Sequence, residues 1–192
     1  MGYKQVTVDI EGESALLMHK LEPDALIKDA NTPRKGTPAY IEYMANEWRK
    51  TAYWKDEIGL YIPTTVIEAM LKEAGKGDKE NKRPVTKLIQ SAYYGLKEEY
   101  SLGIPEKITS LDDIEKFGFI ANHAVRIGMA RVPRKRVCIP VWKCRVTGMV
   151  NTDLVSKQLF ENLFNRAGEQ VGIMDWRPKY GRFTVKNIKW AK

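Results

Sequence analysis

A strand-like run from Val137 to Met149, an amphipathic helix from about Thr152 to Ala167, a turn-rich segment and a final strand from Arg182 to Trp190 close this chain. That succession constrains the fold more than any other feature of the sequence. The turn reads Gly172-Ile-Met-Asp-Trp-Arg-Pro-Lys-Tyr-Gly181, so an Asp, a Trp, two cations and a Tyr lie between two glycines. Glycine permits positive φ and close approach of the backbone to a neighbour. Arg177, Lys179 and Arg182 add charge, and Trp176 and Tyr180 offer flat faces, a mixture that suits unpaired nucleic acid better than a small metabolite.

The rest of the chain supplies matching elements. Residues 4–10 alternate, with Val6, Val8 and Ile10 on one face and Gln5, Thr7 and Asp9 on the other, the period of a half-buried strand. A second apolar run, Ala15 to Met18, ends at His19-Lys20. Residues 22–36, with Pro23, Pro33 and Gly36, read as a loop, its Lys28, Arg34 and Lys35 belonging to a mobile surface stretch or to a basic thumb on a neighbouring subunit or a nucleic acid. A short helix over Tyr40 to Lys50 and a hairpin over 53–62 follow. Thr65-x-x-Glu68 predicts a capping box and a helix over about 65–74. Apolar spacing predicts another helix over 85–99. His123 to Val132 and Val137 to Met149 read as strands joined at a hairpin tip, Pro133-Arg-Lys-Arg136.

With insertions removed, the order is β-α-β-β-α-β. The expected class is α+β, a ferredoxin-like (RRM-like) core with an antiparallel sheet and helical and loop insertions. A single domain would span 1–192, with insertions at about 22–58 and 78–120. Such a core packs two helices on one face of the sheet and leaves the other free, the face RNA-recognition modules use.

Net charge is +8 over 192 residues, which favours an anionic partner. Between Arg126 and Thr152 there is no acidic residue, whereas Arg126, Arg131, Arg134, Lys135, Arg136, Lys143 and Arg145 all fall there. The two cysteines, Cys138 and Cys144, fall in one predicted strand about 20 Å apart, beyond disulfide reach. Both read as small buried apolar groups in a reducing, cytoplasmic setting. No apolar run approaches the roughly 20 residues that span a bilayer, so no membrane partner is expected. Two distant histidines without Cys-x-x-Cys give no metal site, and no phosphate-binding glycine loop or other cofactor motif occurs.

Three segments resemble the RAMP superfamily, the modified ferredoxin-like proteins of CRISPR systems. They are Ala15-Leu-Leu-Met-His19 after the first strand, Tyr61-Ile-Pro-Thr-Thr-Val-Ile-Glu-Ala-Met-Leu-Lys72, and the end closing on Gly172…Tyr180-Gly181-Arg182-Phe183. Together they cover under half of the chain. Thr64-Thr65 and Glu68-Ala69 stand where the family has Gly-Ser and Lys-Gly. The whole chain also resembles proteins encoded in phages and prophages. The resemblance implies non-catalytic binding of single-stranded RNA or DNA, by subunits repeated side by side as a homo-oligomer or filament, with CRISPR-type effector subunits as possible partners. Two alternatives it leaves open are a phage-encoded mimic that interferes with such subunits and a metal-independent endoribonuclease using His19 or His123.

The candidate nucleic-acid-binding residues form three groups. His19 and Lys20 end the first strand run. Arg126, Arg131, Arg134, Lys135, Arg136, Lys143 and Arg145 make the basic belt, in which each phosphate contact would release counterions. Trp176, Arg177, Lys179, Tyr180 and Arg182 belong to the C-terminal turn. No catalytic residue is assigned.

Overall fold

A computed structural model describes residues 2–20, 33–127 and 129–191. Lys28 and most of the expected loop over 22–36 lie outside the described residues; Arg34 and Lys35 are exposed. The class is α+β, with antiparallel sheets.

The elements run in order β1 (Tyr3–Gly12), β2 (Leu16–Leu17), α1 (Pro38–Thr51), β3 (Trp54–Lys55), β4 (Gly59–Pro63), α2 (Thr64–Ala74), β5 (Lys79–Glu80), β6 (Arg83–Pro84) and α3 (Val85–Ala92). Then follow β7 (Tyr93–Gly95), β8 (Glu99–Gly103), α4 (Leu111–Lys116), β9 (Ile120–Ile127), β10 (Ala130–Ile139), β11 (Lys143–Asn151), α5 (Lys157–Arg166), a π-helical turn (Ala167–Val171) and β12 (Phe183–Trp190).

The main sheet has the order β12-β1-β11-β8-β4-β3, and β7 also pairs with β11. Alternation in β1 and β11 sends Val6, Val8, Ile10, Cys144, Val146 and Val150 to one side, all buried. Helices α2, α3 and α5 supply the other half of this core through Ile67, Met70, Leu71, Ile89, Phe160 and Phe164. Each such side chain contributes about 1.5–3 kcal/mol on burial. The opposite face carries Thr7, Asp9 and Thr147, which are half-buried, and Arg145, which is exposed. A smaller sheet, β2-β10-β9, lies apart from the main one, with α1 packed on β10.

The expected single strand from Val137 to Met149 is two strands. Pro140 offers no N–H for a ladder. Trp142 turns inward, its indole N–H donating to the Ser14 carbonyl at 2.9 Å while its own carbonyl accepts from Gly12 at 2.8 Å. The chain thereby crosses from the small sheet to the main one. Gly12 makes this possible, since a Cβ there would lie 2.3 Å from the indole nitrogen. Cys138 and Cys144 therefore sit in different strands. Burial pushes the Cys144 thiol up to about 12.

Other boundaries move for local reasons. Pro133–Arg136 is not a hairpin tip but lies inside β10, because Ala130 registers with Ile127 and the reversal falls between them. The helix expected over 85–99 stops at Ala92, where Tyr93–Gly95 instead pairs with Met149 and its neighbours on β11. The final helix begins at Lys157 with Ser156 as its N-cap, and residues 152–155 form a turn. The Thr65/Glu68 capping box is absent: α2 starts at Thr64 behind Pro63 and has no side-chain cap.

Candidate nucleic-acid interface

The turn between the π-helical segment and β12 is held by backbone hydrogen bonds on both sides. Ile173 N–H donates to Gly181 at 3.0 Å, closing the turn on itself. Asp175 N–H donates to Leu17 at 3.0 Å and Gly181 N–H to Ala15 at 2.9 Å, fastening it to β2 and the residues before it. Gly181 has φ of 72°, and a Cβ there would lie 1.9 Å from the Ile173 carbonyl oxygen. Within this frame two residues other than glycine, Met174 and Trp176, also adopt positive φ, 68° and 54°. That region costs an L-residue about 1–2 kcal/mol.

The strained backbone directs the indole outward. Trp176 is 41% exposed rather than a core plug. Its ring lies 5.0 Å from His123 and 5.8 Å from Tyr180, and Lys179 Nζ lies 5.1 Å above it. His123 Nε2 and the Tyr180 hydroxyl share a hydrogen bond at 2.8 Å. Beneath this group, Arg136 pairs with Asp175 at 2.5 Å, and His19 Nδ1 stands 4.0 Å from the same carboxylate. The two histidines of the chain, far apart in sequence, thus both feel the charges of Arg136 and Asp175. Burial lowers the pKa of each, and the Arg136 guanidinium lowers both further; Arg134 adds to this at His19 and Lys179 at His123, while Asp175 opposes it.

The basic belt does not form one surface. Arg126, Arg131 and Lys135 line one side of the β9–β10 hairpin, where Arg126 faces Arg131 in register. Arg134 and Arg136 point to the other side, where Arg134 pairs with Glu47 of α1. Lys143 and Arg145 lie on the polar face of the main sheet, and Arg145 donates to both Asp9 oxygens, at 2.6 and 3.3 Å. Carboxylates absent from the local sequence are supplied by distant elements, which match Arg134, Arg136 and Arg145 within the chain. Arg177 is exposed, Arg182 donates to the Glu169 carbonyl at 2.6 Å, and the Lys20 backbone N–H bonds Thr51 at 3.0 Å.

Sequence reasoning named His123 only as a possible cleaving residue and left it out of the binding surface; it reaches the site through the β9–β10 pairing, opposite Arg134. Among the described residues, no group of three or more His, Cys, Asp or Glu is arranged to hold a metal ion, and no helix is long and apolar enough to cross a membrane.

No protein-family model matches the chain, and no curated protein sequence matches it. Solved structures similar to it include two Cmr proteins. One is the type III-B Cmr-beta bound to cognate target RNA, at 10% identity and a TM-score of 0.46, covering all of this chain. The chain spans 61% of the length of that Cmr-beta chain. The other is Cmr6 from Pyrococcus furiosus, at 12% identity and a TM-score of 0.38, covering 96% of this chain and 99% of that one.

Proposed function

We propose that this chain binds single-stranded nucleic acid, RNA ahead of DNA, without catalysing a reaction on it. The observation that carries the reading is Trp176. A backbone that accepts a positive φ there spends stability to hold an indole at the surface, beside Tyr180 and under a lysine ammonium. Stacking of a base on such a ring is worth about 1–3 kcal/mol, and every base has a face to offer. Lys179, Arg177 and the hairpin cations Arg131 and Lys135 supply charge for the phosphates. The strand order β12-β1-β11-β8, with α2 and α5 on one side, supports a ferredoxin-like core of the RAMP type. Assembly of copies side by side along a strand belongs to the same proposal.

Fluorescence anisotropy with labelled oligouridine and oligothymidine tests it. Affinity should fall steeply as salt rises, in proportion to the phosphates contacted. Trp176→Ala should weaken binding about tenfold, and affinity should rise with oligonucleotide length as more copies fit. Affinity that is indifferent to both salt and Trp176→Ala would falsify the reading.

Two histidines that border the C-terminal turn, His19 facing Asp175 and His123 hydrogen-bonded to Tyr180, favour a second reading, metal-independent RNA cleavage. One imidazole would take the proton of a 2′-hydroxyl as its oxygen attacks the adjacent phosphorus. The other would protonate the departing 5′-oxygen, leaving a 2′,3′-cyclic phosphate and a 5′-hydroxyl. Incubation of RNA in EDTA decides between the two readings. Cleavage lost in both His19→Ala and His123→Ala supports catalysis, and intact RNA removes it.

A further inference from the structure

Among the described residues, β9 has β10 as its one strand neighbour and forms a border of the small sheet, ordered β2-β10-β9. Its residues, Ile120 to Ile127, include no proline and no lysine, and a single full charge, Arg126. Pairing with β10 runs in unbroken register along the whole strand. The phase of the ladder is fixed by the Cys138 N–H, which donates to the Phe119 carbonyl at 2.8 Å. Bonded and non-bonded positions alternate along an antiparallel pair. Ala121, His123 and Val125 therefore exchange bonds with β10, whereas Ile120, Asn122, Ala124 and Arg126 turn their N–H and C=O groups away from it. Pro133 fits this phase, because it registers with Ala124 and its missing N–H falls on the side away from β9.

These outward groups are open to approach. Asn122 and Ala124 are exposed and have short side chains. Among the described residues, nothing bonds the main chain of Ile120, Asn122 or Ala124 on that side. Sheet borders are ordinarily blunted by lysines, a proline, a bulge or a covering loop. β12 carries two lysines and a register shift, and β9 carries neither device. The side chains of the hairpin add a charge requirement. Arg126, Arg131 and Lys135 share one face, and no acidic residue occurs from Ile120 to Ile139. Among the described residues, no carboxylate forms an ion pair with Arg131 or Lys135. On the other face Val125 and Val132 stand opposite each other, half-buried.

We infer that β9 docks an extended polypeptide segment of another protein, which adds to the small sheet as a further strand and carries carboxylates on alternate residues. Main-chain bonds to Asn122 and Ala124 hold the segment and set its register. Side chains of an added strand alternate between the two faces, so every second one meets the cationic face, where opposite charges across strands attract. A second copy of this chain fits badly. β9 against β9 would lay two acid-free cationic faces side by side, and like charges across strands repel. A polynucleotide offers phosphates to the cations but no row of N–H and C=O groups to complete the ladder. The inference does not rest on the function proposed above; where both hold, the segment and a nucleic acid share Arg131 and Lys135.

The probes are two synthetic peptides as long as β9, one alternating glutamate with valine and the other lysine with valine, titrated into nitrogen-15-labelled protein and followed by NMR. The glutamate peptide should shift the amide signals of Asn122 and Ala124 and bind about tenfold more tightly than the lysine peptide. Ala124→Pro removes an outward N–H, leaves the bonds to β10 in place, and should weaken the glutamate peptide about tenfold. Arg131→Glu/Lys135→Glu should reverse the preference between the peptides, whether or not Ala124→Pro folds. Absence of binding by either peptide, equal affinity for both, shifts confined to other surfaces, or a preference unmoved by the charge reversal overturns the inference. Slow hydrogen exchange at Asn122 and Ala124 in the protein alone also overturns it, because the border is then already covered. Shifts there that grow with protein concentration, without peptide, make the occupant a second copy. Shifts there with oligouridine but not with peptide assign the border to nucleic acid, and either result removes the polypeptide partner.

Discussion

Arg136 of β10 and Asp175 of the C-terminal turn form an ion pair at 2.5 Å that ties the β9–β10 hairpin to the turn carrying Trp176. Arg136 is only 9% exposed, its Nε atom has no hydrogen-bond partner, and the carboxylate it meets also faces His19. The pair therefore sets both the position of the hairpin and the charge felt by two imidazoles.

Arg136→Met should cost about 2 kcal/mol, because it strands a partly buried carboxylate, whereas Arg136→Met combined with Asp175→Asn should recover part of that loss. Removal of the guanidinium should also raise the pKa of His19 and His123, since Arg136 lowers both. Denaturant midpoints check the first expectation, and NMR titration of the imidazole Cε1 protons checks the second.

Stability should fall on acidification. Both histidines have folded pKa values below the ordinary imidazole value of 6.5, so the unfolded chain binds protons more readily. Their neutral forms impose no penalty above that value. As pH drops through 6.5 toward the lower folded values, the unfolded state gains protons first and stability is lost. His19→Gln and His123→Gln should each flatten the slope of melting temperature against pH between about 7 and 5, the range spanned by an imidazole.

Trp176→Gly should separate stability from binding. Glycine removes the cost of φ at 54°, about 1 kcal/mol, and with it the indole. The melting temperature should hold or rise while oligonucleotide affinity drops. A large loss of stability would mean that the indole's contacts with His123 and Tyr180 outweigh the backbone strain.

Gly181→Ala should fail for the opposite reason. The added methyl would lie 1.9 Å from a backbone oxygen, and its φ of 72° is unfavourable for alanine. A loss of about 3 kcal/mol or more is expected, measured by guanidinium denaturation.

The parts of this fold legible in the sequence are those decided locally. Alternation in β1 identifies Val6, Val8 and Ile10 as core, and the apolar spacing of α5 identifies Leu163 and Phe164. The break after Ile139 is hidden because alternation of apolar residues continues through Pro140 and Trp142 while the chain changes sheets. β7 is hidden because Ala92 and Leu96 keep a helical spacing, and only pairing with Met149 and Val150 makes Tyr93–Gly95 a strand. At the site, Trp176, Lys179 and Tyr180 stand out through their spacing between glycines. The acid partners of the belt do not: Glu47, Asp9 and Asp175 reach Arg134, Arg145 and Arg136 only through tertiary pairing.

One border of the main sheet is β12, where exposed Lys186 and Lys189 accompany a register shift against β1 between Asp9 and Ile10. A second molecule offering its own strand there would meet ammonium groups and a ladder out of step. Addition of a foreign strand along β12 is thereby disfavoured, which keeps this border of the sheet a terminus rather than a seam.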